Sequence, residues 1–242
     1  MKSDLRKSLV AIGLIFLASC SASEPEAKVG TDGKATVESF HEGPPEFIEP
    51  QTALASDTYT IVMLGDSLTA GFGLPPSAAL PAEIERALRP VDNAVEVINA
   101  GVSGDTSAGG LARYDWSVAS ANPNLLVIAL GANDYLSGID PDRTRANLTA
   151  IIERALADDV DILLVSLSAR SSTASDPRAA AFTEIYPDLA QTYEIALYSG
   201  LMDLIVDQPS LLMQDGLHPT ADGVRIIAPP LAESVAEFLK KG

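Results

Sequence analysis

The stretch Tyr59–Gly71, YTIVMLGDSLTAG, constrains this chain more than any other. Ile61, Val62, Met63 and Leu64 are apolar without alternation, the pattern of a strand buried on both faces of a parallel sheet. Gly65 closes the run, and Asp66, Ser67, Thr69 and Gly71 follow directly. A buried strand that stops at a glycine and delivers a serine places the hydroxyl at the carboxyl edge of a sheet. That edge is where open α/β sheets hold their ligands. By itself Gly65-Asp66-Ser67-Leu68 would equally suit a strand followed by a polar helix cap. Its meaning depends on partners farther along the chain.

Similar runs recur at Val95–Asn99, Leu125–Leu130, Ile162–Leu167 and Ile195–Tyr198. Between them lie stretches of helical period. Leu80, Ile84 and Leu88 share one face of Ser77–Arg89, which Pro90 ends. Leu111, Tyr114 and Val118 suggest another helix, and Leu148, Ile151, Ile152 and Leu156 give Asn147–Leu156 a broad apolar face. A further helix is expected over Ala179–Tyr193, started, bent or split by Pro187. The last begins near Asp222 and should be interrupted or restarted at Pro229-Pro230. Strands alternating with helices predict βαβ crossovers and an α/β fold, a three-layer α/β/α sandwich with about five parallel strands.

The chain has 242 residues and divides into three parts by composition. Residues 1–20 read as a processing segment. Lys2, Arg6 and Lys7 precede the apolar run Leu9–Ala18, which falls short of the roughly 20 residues needed to span a bilayer. The run ends in Leu17-Ala18-Ser19-Cys20, which resembles a bacterial lipobox with Cys20 as the lipidated, mature N-terminus. An ordinary signal peptide with an incidental cysteine is the alternative. The lipobox reading predicts a membrane anchor through Cys20 in the cell envelope, at the outer membrane and facing the periplasm. Residues 21–57 are rich in Glu, Pro, Ala, Ser and Thr and read as a disordered tether. Residues 58–242 form the folded domain.

Several chemistries are excluded early. A formal net charge of −17 argues against nucleic acid as a partner, because phosphate contacts need clustered Lys and Arg. Cys20 is the sole cysteine, so no disulfide, CxxC site or cysteine nucleophile belongs to the folded part. The two histidines, His41 and His218, are far apart, and no HExxH or glycine-rich phosphate loop occurs. No metal site and no cofactor are expected.

Three expected strands end in small, polar, glycine-containing loops: Gly65-Asp66-Ser67, Gly101–Asp105 and Gly131–Asp134. In a parallel sheet these loops share one edge. Asp215–His218 must approach them if the last helix packs on the sheet. Hydrolysis of an ester through an acyl-enzyme needs a nucleophile, a base, an orienter of that base, and donors for the oxyanion. Ser67 fits the first role, and His218 is the one histidine of the folded region able to take its proton. Asp215, three residues earlier, is placed to accept from its Nδ1–H. The backbone N–H groups of Ser67 and Gly104 and the side-chain amide of Asn133 would face the oxyanion. Each also has a plain alternative: His218 as a helix-entry residue, Asn133-Asp134 as a turn, and the 101–110 glycines as backbone freedom.

GDSLTAG at 65–71, NAGVSGDTSAGGLAR at 99–113, LGANDYL at 130–136 and DGLHP at 215–219 together resemble the four blocks of the SGNH hydrolases, or GDSL esterases. Order and spacing agree over roughly residues 59–240. The branch most similar is the bacterial thioesterase/lysophospholipase and arylesterase group. The resemblance implies Ser67 as nucleophile, His218 as base, Asp215 as its partner, and Ser67, Gly104 and Asn133 as the oxyanion hole. It also implies metal independence, a sheet order of 2-1-3-4-5, and small acyl esters, thioesters or lysophospholipids as substrates. Ser168–Pro177 stands where that branch carries a Pro/Asn/Tyr-containing loop against the acyl pocket, so acyl selectivity would differ there. Other SGNH members remove O-acetyl groups from polysaccharides, and a non-catalytic binding lipoprotein would keep the fold but lose Ser67, His218 or an oxyanion donor.

Overall fold

The uninterrupted apolar runs become the interior of one sheet. The computed structural model describes residues 58–166 and 176–240. Its strands are β1 Tyr59–Gly65, β2 Val95–Gly101, β3 Leu125–Ala129, β4 Asp161–Val165 and β5 Ala196–Tyr198. They pair in parallel in the order β2-β1-β3-β4-β5. The helices are α1 Ser67–Ala70, α2 Leu80–Leu88, α3 Ser107–Ala112, α4 Tyr114–Ser117 and α5 Ala132–Leu136. They continue with α6 Pro141–Ala157, α7 Pro177–Thr183, α8 Ile185–Tyr193 and α9 Ala221–Leu239.

Successive strand residues point to opposite faces, so an unbroken apolar run feeds two cores at once. Ile61, Met63, Val97, Val127 and Leu163 pack with Ile84 and Leu88 of α2 and with Ile227, Leu231 and Val235 of α9. Val62, Leu64, Leu126, Ile128 and Leu164 pack instead with Leu148 and Ile151 of α6 and Ile185 and Leu189 of α8. Three layers result. Burying each of these side chains contributes about 1.5–3 kcal/mol.

The helices depart from the sequence expectations where polar chemistry or sidedness outweighs period. Helix α6 starts at Pro141 rather than near Asn147, because the Asp140 carboxylate caps the N–H of Asp142 and proline suits a first position. The glycine-rich segment after β2 is helical from Ser107. Thr106 caps α3, and a Cβ at Gly109 or Gly110 would run into the Asp105 carboxylate or Leu130. The helix expected around Tyr114 is two short ones, α3 and α4, meeting at Arg113. Helices α7 and α8 separate at Glu184, and Pro187 sits in the first turn of α8, where no helical donor is required.

The expected break at Pro229-Pro230 does not occur, and α9 runs through both prolines. Their missing N–H groups leave the carbonyls of Arg225 and Ile226 without helical donors, but those residues are exposed and water can serve them. On the other side, Ile227, Ala228, Leu231 and Ala232 are buried and hold the helix to the sheet.

The strand order reverses between β1 and β3, opening a crevice beyond their carboxyl ends. The loops after β1 and β3 flank that crevice, and the loop after β2 lies alongside.

Candidate active site

At the end of β1 the Asp66 carboxylate, 2% exposed, accepts from the N–H of Leu68 at 3.1 Å and caps α1. Ser67 is therefore the first residue of a helical turn standing on a buried strand. His218 reaches it from the other end of the domain. The N–H of Met213 donates to the carbonyl of His218 (2.7 Å), that of Thr220 to Leu211 (2.8 Å), and Leu212 bridges Pro219 antiparallel. This clasp presents the turn at residues 213–218 to the crevice.

His218 Nε2 lies 2.8 Å from Ser67 Oγ, and His218 Nδ1 lies 2.7 Å from Asp215 Oδ2. Asp215 Oδ1 accepts from the N–H groups of Leu217 (2.9 Å) and His218 (3.0 Å). The backbone N–H of His218, its ring, and the N–H of Leu217 hold this carboxyl down at about 2. Asp215 is thus ionised at neutral pH and can only accept. A neutral imidazole beside it carries its proton on Nδ1 and leaves Nε2 free to accept from Ser67. The Phe72 ring, its centroid 4.4 Å from that of the imidazole, packs against His218.

Among the described residues, none accepts from the N–H of Ser67 or Gly104. Open space lies beside Gly104. Asn133 also borders the cavity, but its amide is engaged. Nδ2 donates to the Asp105 carbonyl at 2.9 Å and, at 3.3 Å, to the Asp66 carboxylate. To meet an oxyanion it would exchange the longer contact. Burial pushes the Asp66 carboxyl up to about 6, with Asp105 and Asp134 adding to the rise and Leu68 N–H and His218 opposing it.

Buried polar groups hold the Asn133 turn. Asp134, fully buried, accepts from the N–H of Ser107 (2.8 Å), from its hydroxyl, and from the hydroxyl of Thr144 (3.0 Å). Gly131, at φ 121°, has the left-handed backbone a side chain resists, and a Cβ there would collide with the Tyr186 hydroxyl. That hydroxyl donates to the carbonyl of Leu130 at 2.9 Å. Arg178 donates to the carbonyls of Tyr135 (2.9 Å) and Ile139 (3.0 Å) and lies over the Tyr135 ring.

A cavity of about 420 Å³ opens from Ser67 and His218. Leu136, Phe182, Met202, Val206 and Leu212 give it a largely apolar lining. Among the described residues no group of three His, Cys, Asp or Glu is placed to hold a metal ion.

All five folded-region residues singled out from sequence, Ser67, Gly104, Asn133, Asp215 and His218, border this crevice or its clasp. Cys20 and His41 lie outside the described residues, as does most of the Ser168–Pro177 loop. Phe72, Met202 and Val206 carried no sequence signal, because apolar residues in connecting segments read alike whether they line a cavity or a core.

Residues 63–226 match the GDSL-like Lipase/Acylhydrolase family. The thioesterase 1/protease 1/lysophospholipase L1 of Escherichia coli K12 is 32% identical over 189 residues, 78% of this chain and 89% of that protein. The arylesterase of Vibrio mimicus is 34% identical over 191 residues, covering 78% and 92% of the two chains. The crystal structure of the psychrotrophic esterase EstA from Pseudoalteromonas sp., inhibited by monoethylphosphonate, superposes with a TM-score of 0.71. It is 26% identical, and the match covers 75% of this chain and 99% of that one.

Proposed function

Because the chain belongs to the GDSL-like lipase/acylhydrolase family and is an ester hydrolase, we propose that it works through an acyl-enzyme formed on Ser67. The observation that carries this reading is the hydrogen-bonded line Ser67 Oγ, His218 and Asp215, at 2.8 and 2.7 Å, at the polar end of an apolar cavity.

Ser67 Oγ attacks the carbonyl carbon as His218 Nε2 takes its proton, and Asp215 stabilises the imidazolium. The oxyanion that develops meets the N–H groups of Ser67 and Gly104, joined by the Asn133 amide. Each such donor contributes about 10²–10³ in turnover. Collapse breaks the bond to the leaving oxygen or sulfur, which takes the proton from Nε2. Water, deprotonated by the same nitrogen, then releases the acid and restores Ser67.

The apolar walls support an acyl group, and the names of the relatives support aryl esters, thioesters and lysophospholipids as candidates for the remainder. The sole cysteine, at the end of the lipobox-like Leu17-Ala18-Ser19-Cys20, supports anchoring of this hydrolase to a bacterial envelope membrane, outside the compartment of acyl-CoA. Mass spectrometry of the membrane fraction tests that point, with an unmodified Cys20 refuting it.

The central test is hydrolysis of p-nitrophenyl esters from C2 to C16 by the protein starting at Ser21, beside Ser67→Ala. Turnover and fluorophosphonate labelling should both vanish in the variant. Labelling that persists would remove Ser67 as the nucleophile.

A further inference from the structure

The proposed mechanism uses no arginine, yet Arg113 is 6% exposed and hydrogen-bonds to residues next to the proposed oxyanion donors. A buried guanidinium is tolerated only when its donors are met, and here each arm is. Nε donates to Asp105 Oδ2 at 2.6 Å, Nη1 to the Ala100 carbonyl at 2.7 Å and to Ser117 Oγ at 3.2 Å, and Nη2 to the Gly65 carbonyl at 2.9 Å. What these partners adjoin gives the contact set its meaning. Gly65 ends β1 two residues before Ser67. Ala100 belongs to the end of β2, and Asp105 follows Gly104. The Asp105 carbonyl in turn accepts from the Asn133 amide at 2.9 Å.

We infer that Arg113 is a positioning residue that sets the spacing of the oxyanion donors, an assignment that rests on the acyl-enzyme reading above. One rigid fork joins the backbone segments that carry Ser67 N–H and Gly104 N–H, and it reaches Asn133 through Asp105. Donors aimed at a developing charge lose their effect with small displacements, so a group that fixes their relative placement acts on turnover without touching substrate. Lysine cannot replace it: an ammonium has three donors converging on one atom, whereas these acceptors lie around a plane.

The test compares wild type with Arg113→Lys, and with Asp105→Asn, which removes the ion pair but keeps the carbonyl that Asn133 uses. Steady-state kinetics on p-nitrophenyl butyrate are run well below each melting temperature. Arg113→Lys should lower kcat about 10–100-fold with KM within about threefold, because the apolar cavity is untouched. The NMR signals of the Gly104 amide and the Asn133 side-chain amide should move, while that of the Leu217 amide stays. Free guanidinium at millimolar concentration should restore part of kcat to Arg113→Ala. A folded Arg113→Lys with kcat within threefold of wild type, or with unmoved Gly104 and Asn133 signals, overturns the assignment. Should Arg113→Lys not fold, Asp105→Asn decides by the same two readouts. Failure of the acyl-enzyme reading shows separately, as wild-type turnover that survives Ser67→Ala.

Discussion

Replacing Asp215 by asparagine removes its negative charge and puts a donating nitrogen where the carboxylate could only accept. In the native turn Oδ1 accepts from Leu217 N–H at 2.9 Å and His218 N–H at 3.0 Å, while Oδ2 faces His218 Nδ1 at 2.7 Å. Asparagine keeps the backbone bonds only when its carbonyl oxygen takes the Oδ1 place, which turns its amide nitrogen toward Nδ1. Nδ1 must then accept, the ring proton moves to Nε2, and Nε2 donates to Ser67 Oγ across the 2.8 Å contact instead of taking its proton. An inverted tautomer of this kind lowers turnover by about 10⁴ in a serine–histidine–aspartate triad. The turn keeps its backbone bonds, so the melting temperature should stay within about 2 °C of wild type. The assay is kcat/KM on p-nitrophenyl butyrate, with Ser67→Ala defining the floor and thermal unfolding followed by circular dichroism. A folded Asp215→Asn that loses less than tenfold refutes the orienting role and the tautomer argument with it.

Three further outcomes follow from buried groups around the site. Tyr186→Phe leaves the Leu130 carbonyl without the hydroxyl that donates to it at 2.9 Å, and should cost about 1–3 kcal/mol, or roughly 2–12 °C in melting temperature; an unchanged midpoint would be the contrary result. Gly131→Ala combines a φ of 121° with a collision against Tyr186, and should destabilise by about 3 kcal/mol or more by urea titration. Asp66 has a pKa of about 6 against an ordinary 3.8, so between those values the folded chain holds a proton that the unfolded chain releases. Its contribution to stability therefore falls as pH rises through that window. Asp66→Ser, which keeps a neutral cap, should gain on wild type by up to about 3 kcal/mol between pH 4 and 7. Parallel stability–pH curves for the two proteins would contradict the raised pKa.

The sheet was legible because a strand covered on both faces needs apolar residues at every position, and Ile61–Leu64, Leu125–Leu130 and Ile162–Val165 state that need without ambiguity. The chemistry was legible because the folded region holds one histidine, with an aspartate three residues before it and a serine closing the first strand. These are properties of neighbouring residues or of composition, which a linear chain carries on its face. The contact between Ser67 and His218 spans 151 positions, and nothing local sets its 2.8 Å length. Tertiary structure alone decided that Asn133 is already engaged by Asp66 and Asp105, that Arg113 binds the ends of β1 and β2 together, and that Met202 and Val206 border the cavity. It also carried α9 through Pro229-Pro230, because burial of Ile227 and Leu231 on the sheet outweighs two lost hydrogen bonds on the solvent side. Residue type and period determine which segments form strands and helices. Where side chains from distant segments meet is fixed by how the finished layers pack, an energy shared by the whole core and written at no single position.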